Sequence, residues 1–275
     1  MFIEKICLCD YKGELIMSKK LPVLFIAHGS PMNALENNDY TESIKALAQQ
    51  IDRPKAIMVI SAHWTTEGTY ITSEDQPKTI YDFYGFPEEL YNIKYSPKGA
   101  KEYSKIALDS LASENVQGNT SWGLDHGTWT VLKHMYPDAD IPVFQMSLNV
   151  LLSEEQHYEL GKKLASLREK GILIIGSGNI VHNLREINFE ENAKPADWAI
   201  DFDTYVAKAI TDKRHLDLIN YRSIVKAAKS SVPTDEHYLP LLYILAMQEE
   251  NETAQFVYEG ILNRSLSMRS VLINS

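Results

Sequence analysis

Apolar and polar positions fall in blocks along this chain rather than alternating residue by residue. Four short runs are apolar and rich in β-branched residues: Val23–Ala27 (VLFIA), Ala56–Ala62 (AIMVISA), Pro142–Leu148 (PVFQMSL) and Ile172–Ile175 (ILII). Runs of this length without period-two alternation fit strands buried on both faces, the habit of parallel sheets. Between them lie stretches with helical spacing. Tyr40–Gln50 carries Ile44 and Leu47, continued at Ile51, and Ala100–Leu111 and Glu154–Lys170 behave similarly, with Gly171 placed to cap the last. A further strand is expected at Phe256–Leu262. Strands alternating with helices predict right-handed crossovers and a single α/β domain, its central, largely parallel or mixed sheet covered by helices. No internal repeat, low-complexity stretch or Pro/Gly/Ser linker divides the chain.

Asp75–Pro97 breaks this rhythm. It is rich in Tyr, Phe and Pro and shows neither period. A loop of this length in a compact domain is usually functional. Tyr81, Phe83, Tyr84 and Phe86 are candidates to wall a pocket for a flat substrate; the alternative is an aromatic mini-core beneath a long excursion.

Length and charge narrow the picture. A chain of 275 residues buries enough surface to fold without a disulfide or a structural metal. A net charge of −10 counts against nucleic acid as the main partner. The two cysteines, Cys7 and Cys9, cannot staple such a fold, and a CxC pair without a second pair is a poor zinc site; a reduced, cytoplasmic setting is expected. No apolar run reaches the roughly 18 residues of a membrane helix, and the first residues lack a signal-peptide pattern. Met17 offers a second start. Residues 1–20 therefore read as an N-terminal extension and 21–275 as the domain.

The eight histidines carry the most chemistry. His28 ends the first apolar run, His63 the second, and His182 follows the strand and loop ILIIGSGNIVHN. Ligands of open parallel sheets bind beyond the carboxyl ends of the strands, so three strands each deliver an imidazole to one rim. His126 lies in GLDHGTW just ahead of a helical pattern, Trp129–Tyr136, with Gly127 permitting close approach to a ligand. Asp125 either orients His126 or caps that helix. His237 follows the helix-start signal Pro233, Thr234, Asp235 and Glu236, in a first turn facing either the rim or solvent. His134, His157 and His215 sit among polar or charged neighbours and read as solvated surface residues. Imidazoles gathered at a rim suit a divalent first-row metal such as zinc, iron or copper. Familiar zinc signatures are missing, and the Gly176-Ser177-Gly178-Asn179 turn lacks the Walker lysine. Ser30 and Ser177 are candidate nucleophiles, though neither lies in GxSxG.

Taken together, AHGSPMN, SAHW, YDFYGFP, GLDHGTW, MYPDADIPVFQMS, SGNIVHNLR and PTDEHYLPLLY resemble the 4,5-DOPA extradiol dioxygenases, a branch of the class III ring-cleaving dioxygenases. The resemblance runs in order from about Leu21 to near the C-terminus, which makes 21–275 the catalytic domain. It implies one divalent metal per chain, zinc or ferrous iron, at one end of the sheet. It implies His28, His63 and His237 as primary ligands. His182 matches a further ligand or the acid–base residue, and His126 an active-site histidine that contacts substrate. The wider class uses two histidines and a glutamate; His237 in the third position leaves a neutral ligand set, which favours zinc more than a facial triad does.

The implied reaction opens a DOPA-like catechol with O₂ to a semialdehyde. Ferrous iron can pass electron density from catecholate to O₂, and zinc cannot. His182 is the candidate base and later acid, His126 would hydrogen-bond substrate or oxygen, and the aromatic loop would cover the ring. Two alternatives stand beside it: a zinc hydrolase using metal-bound water, and a binding protein without metal chemistry. The implied partners are a small aromatic substrate and O₂, with no nucleic acid and no membrane.

Overall fold

The computed structural model describes residues 20–190 and 193–275. Cys7, Cys9 and, apart from Lys20, the expected N-terminal extension lie outside the described residues. The strands among them are β1 (Val23–Ala27), β2 (Ala56–Thr66), β3 (Tyr70–Thr72), β4 (Gln117–Asn119), β5 (Val143–Asn149), β6 (Ile172–Gly178), β7 (Thr253–Tyr258), β8 (Ile261–Leu262), β9 (Leu266–Ser267) and β10 (Ser270–Asn274). Eight of them form one sheet in the order β4-β3-β5-β2-β6-β1-β10-β7. The four apolar runs supply its centre, β5, β2, β6 and β1, all parallel. At one edge β3 joins β5 antiparallel; at the other β10 and β7 are added antiparallel, so the sheet is mixed.

The final apolar stretch does not form the single strand expected at Phe256–Leu262. β7 ends at Tyr258, and β8 leaves the sheet to pair with β9. The break falls at Glu259-Gly260, a glycine inside a strand pattern being a common stopping point.

Helices cover both faces. In chain order they are α1 (Asp39–Gln50), α2 (Glu88–Tyr91), α3 (Lys101–Ser110), α4 (His126–Met135), α5 (Glu154–Leu164), α6 (Asp197–Thr211), α7 (His215–Ile219), α8 (Tyr221–Ile224), α9 (Ala228–Ser231) and α10 (Leu239–Ala246). Successive residues of one strand enter different cores. Leu24, Ile26, Ile57 and Val59 meet α1 and α4, whereas Val23, Phe25, Met58 and Ile60 meet α5, α6 and α10. Both faces must therefore be apolar, which is why the runs show no alternation. The helical stretch expected at Glu154–Lys170 is α-helical only to Leu164 and tightens into a 3₁₀ turn before Gly171. No helix of the described residues is long and apolar enough to cross a membrane.

The amino-terminal end of the parallel strands is closed by Arg168. Its buried guanidinium donates to Leu21 O at 2.7 Å, to Met247 O at 2.9 Å and to Glu252 at 3.0 Å. The opposite, carboxyl end stays open. There Gly178 ends β6, and a Cβ on it would lie 2.1 Å from the carbonyl oxygen of His237. Asn179 N donates to that same oxygen at 2.8 Å, so the two loops touch through backbone. Gly178→Ala is expected to cost about 1–3 kcal/mol by overpacking, read from the denaturant midpoint. Gly118→Ala, whose Cβ meets nothing closer than 3.5 Å, serves as the control and should stay within about 0.5 kcal/mol. Equal midpoints for the two variants would show that the contact at Gly178 yields freely.

Candidate active site

Five histidines converge toward the carboxyl ends of β1, β2 and β6. His28 follows β1 directly, and its N–H donates to Gly178 O at 3.2 Å. His63 does not end β2 as expected. The strand runs on to Thr66, and its register against β5 shifts between Ile60 and Thr65, an irregularity of the kind that re-aims side chains. His182 lies four residues past β6, its backbone bridged to Leu266. His126 opens α4, which starts three residues earlier than the pattern at Trp129 predicts. His237 sits in a turn two residues ahead of α10 rather than in its first turn, because Asp235 O accepts from Tyr238 N and Leu239 N before the helix begins.

The rings are close together. His28 and His63 have centroids 4.8 Å apart, and His237 lies 5.2 Å and 4.9 Å from them. His126 is 3.9 Å from His63, and His182 stacks on His237 at 3.5 Å with 6° between planes. Hydrogen bonds decide which nitrogens face inward. Ser177 Oγ donates to Gly127 O at 2.5 Å, so the same oxygen accepts from His28 Nδ1 at 2.9 Å. His28 therefore carries its proton on Nδ1 and leaves a lone pair on Nε2. That Nε2 is 3.0 Å from His63 Nε2. His237 Nδ1 lies 3.0 Å from Glu236 Oε1, and its buried Nε2 has no partner.

This donor set fits a divalent cation. Two nitrogens 3.0 Å apart can both lie within a zinc–imidazole bond length, roughly 2.0–2.1 Å, of one ion. A buried, unpartnered imidazole nitrogen beside them is otherwise an unexplained defect. His28, His63 and His126 bring their ligand atoms within 4.8 Å of one another, and so do His182, Glu236 and His237.

The cluster forms the floor of a cleft of about 450 Å³. Pro31, Phe83, Phe86, Ile187 and Leu266 wall it, with Leu184 and Phe189 at the rim; Phe189 is 76% exposed. Among the described lining residues there is no lysine or arginine. The aromatic loop divides between the cleft and the packing beneath it. Phe83 and Phe86 face the cleft, and the Phe83 ring meets His126 edge-on at 5.6 Å. Tyr81 packs beneath against Trp129 and donates to Ile93 O, while Tyr95 is buried. Tyr84 is 91% exposed and does not line the cleft.

Several other expectations need correction. Asp125 caps α4: its carboxylate accepts from Thr128 N, Ser61 Oγ and Gln145 Nε2, and makes no hydrogen bond to His126. Gly127 lets α4 lie against the strand, since a Cβ there would be 2.7 Å from Ser61 Oγ and 3.1 Å from the His63 ring. Ser177 is occupied by His28 and Gly127 O, and Ser30 caps the short 3₁₀ turn at Pro31–Ala34. His157 is fully buried against Tyr243 rather than solvated. His134 bonds Asn33 O at 2.7 Å, and His215 lies between Tyr158 and Gln248.

One residue was not anticipated. Asp82 Oδ2 lies 2.9 Å from His126 Nδ1 and 3.2 Å from His63 Nδ1, and Oδ1 accepts from His126 N at 2.8 Å. A carboxylate set among aromatics in YDFYGFP was the available signal, because a buried charge requires partners. Burial pushes this carboxyl up, but the hydrogen bonds from the His126 ring and backbone, with electrostatic attraction to His126 and His63, outweigh it and hold it below the usual range. Burial, reinforced by the neighbouring imidazoles, holds His28 and His237 well below an ordinary histidine. It takes His63 down to about 3 and His182 to about 4. These rings are neutral at pH 7 and able to accept protons or bind metal.

The chain is similar over nearly its whole length to known proteins. A family described as the catalytic LigB subunit of aromatic ring-opening dioxygenase matches residues 22–268. The chain is 43% identical over 266 residues to a 4,5-DOPA dioxygenase extradiol of Escherichia coli (strain K12), covering 95% of this chain and 98% of that protein. It is 37% identical to a 4,5-DOPA dioxygenase extradiol of Beta vulgaris, over 86% of this chain and 90% of the relative. A crystal structure of an uncharacterized protein from Escherichia coli K12 superposes with a TM-score of 0.81 at 41% identity, over 92% of this chain and 100% of that one.

The depressed imidazoles tie stability to pH. An unfolded histidine titrates near 6.5, whereas folded His63 and His182 titrate at about 3 and 4. Between these values the unfolded chain binds protons that the folded chain excludes. Stability is thus complete above pH 6.5 and is lost as pH falls, by about 1.4 kcal/mol per pH unit for each such ring. The metal-free protein should show a melting temperature that declines steadily from pH 7 to pH 4.5. A flat curve over that span would mean the rings are already protonated or open to water.

Proposed function

The chain belongs to the family of catalytic LigB subunits of aromatic ring-opening dioxygenases and is an extradiol ring-cleaving enzyme; from this premise we propose that its substrate is a small DOPA-like catechol, opened with O₂ at a divalent metal held by His28, His63 and His237. The observation that carries the ligand set is the buried, unpartnered Nε2 of His237 beside two Nε2 atoms 3.0 Å apart. The zinc-hydrolase and binding-protein alternatives have no counterpart among the matches above. Ferrous iron, when bound, would supply both Lewis acidity that eases catechol deprotonation and a redox-active centre for O₂, which zinc lacks.

The chain's own residues do the rest. Phe83 and Phe86 hold the flat ring by edge and face contacts, and the apolar walls keep water from the reacting carbons. His182 is neutral at pH 7 and takes the proton of the second hydroxyl, later returning it. His126, whose ring meets Phe83 edge-on, accepts a hydrogen bond from a ring hydroxyl of the substrate. Among the described lining residues, Glu236 is the one carboxylate not hydrogen-bonded to His126 or placed against His63 Nδ1. It offers a partner to the ammonium end of an amino-acid catechol.

Protein loaded anaerobically with ferrous iron and given DOPA or 4-methylcatechol should consume O₂ on mixing and form a yellow ring-opened product. No oxygen uptake across a panel of catechols would sink the proposal. His63→Ala should lose most bound metal. His182→Ala should keep it and lose about 10²- to 10⁴-fold in kcat. Equal metal loss in the two variants would make His182 a ligand instead.

A further inference from the structure

Asp82 belongs neither to the proposed ligand set nor to the histidines proposed to meet substrate, yet its carboxylate touches one of each, His63 and His126. We propose that Asp82 is a positioning residue that fixes the tautomers of His63 and His126 together, so that both present an Nε2 lone pair to the cleft. The inference rests on reading the cleft as the ring-opening site and deepens that reading.

The argument starts from hydrogen inventory. An ionised carboxylate only accepts, and a neutral imidazole has one N–H. Oδ2 of Asp82 faces the Nδ1 atoms of both rings, at 2.9 Å for His126 and 3.2 Å for His63. With one N–H on each ring, that proton sits on Nδ1 toward the carboxylate, and Nε2 is left as an acceptor. For His63 this is the form able to bind a cation. For His126 it selects one role: the ring accepts a hydrogen bond or proton from a substrate hydroxyl and does not donate to a bound oxygen. Neither Asp125 nor Ser177 shares the task, since the first is engaged with Thr128, Ser61 and Gln145 and the second with His28 and Gly127 O. The other oxygen, Oδ1, takes the backbone N–H of His126 at 2.8 Å. One side chain thus ties the aromatic loop to the start of α4 and sets Phe83, the next residue, against the ring it orients.

Replacing Asp82 by asparagine keeps the shape and changes the code. Its amide has one accepting oxygen and one donating nitrogen, so it can leave only one of the two Nδ1 protons in place or push a proton to Nε2. Outer-sphere partners of this kind typically affect metal affinity or activity by about 10–100-fold.

The test has two arms. In zinc-loaded wild-type protein with labelled histidine, long-range proton–nitrogen correlation should find His126 protonated on Nδ1 and bare on Nε2, assigned by comparison with His126→Gln. In Asp82→Asn, zinc affinity measured against a chromophoric chelator should fall about 10–100-fold, with kcat lowered and KM for the catechol nearly unchanged. Wild-type His126 protonated on Nε2, or an Asp82→Asn protein with unaltered zinc affinity and imidazole spectrum, overturns the proposal. If Asp82→Asn does not fold, the wild-type spectrum decides alone. A wild-type enzyme that takes up no oxygen refutes the reaction and leaves the tautomer arm to stand or fall by its spectrum.

Discussion

Four imidazole rings packed toward the carboxyl ends of β1, β2 and β6, those of His28, His63, His182 and His237, are held neutral at pH 7 chiefly by burial, and by the other rings around them. Neutral rings each keep one donor and one acceptor nitrogen, and the surroundings sort them. Ser177, Asp82 and Glu236 each sit at an Nδ1 of His28, of His63 and His126, and of His237 respectively. Of the ring nitrogens facing the centre, His237 Nε2 is buried without a partner beside the Nε2 atoms of His28 and His63. A divalent cation on these three rings, as proposed above, would satisfy it.

The sheet makes this arrangement possible by being apolar on both sides. The segments that follow its parallel strands contact one another through backbone: Gly178 against the His237 carbonyl, His28 N on Gly178 O. At the other end Arg168 and Glu252 pin the chain where the strands begin. The site is held by elements whose own positions are fixed by packing, so few residues near it are free to adjust.

The strand centre was legible because buried strands leave continuous apolar runs, and His28, His63 and His182 were legible because they follow those runs. His126 and His237 were visible through the turn and cap residues around them. What escaped depends on contacts far apart in the chain. Asp82 meets His126 across 44 positions and Ser177 meets His28 across 149, and no local period encodes either. His157 is different: it shares a stripe with Leu160, Gly161 and Leu164, the buried face of α5, so helical spacing held the signal and its charged neighbours masked it. Tyr84 was grouped with its aromatic neighbours by composition, whereas the loop turns each side chain separately.

The oily lip formed by Leu184, Ile187 and Phe189 has a bearing on turnover. A catechol arrives as a flat, mostly nonpolar disc, and such walls draw it out of solvent. Scission converts that disc into a flexible chain bearing an acid and an aldehyde, which the same greasy surface no longer favours. Affinity thus falls at the moment chemistry is complete, and departure of what was made is built into the doorway that admitted its precursor.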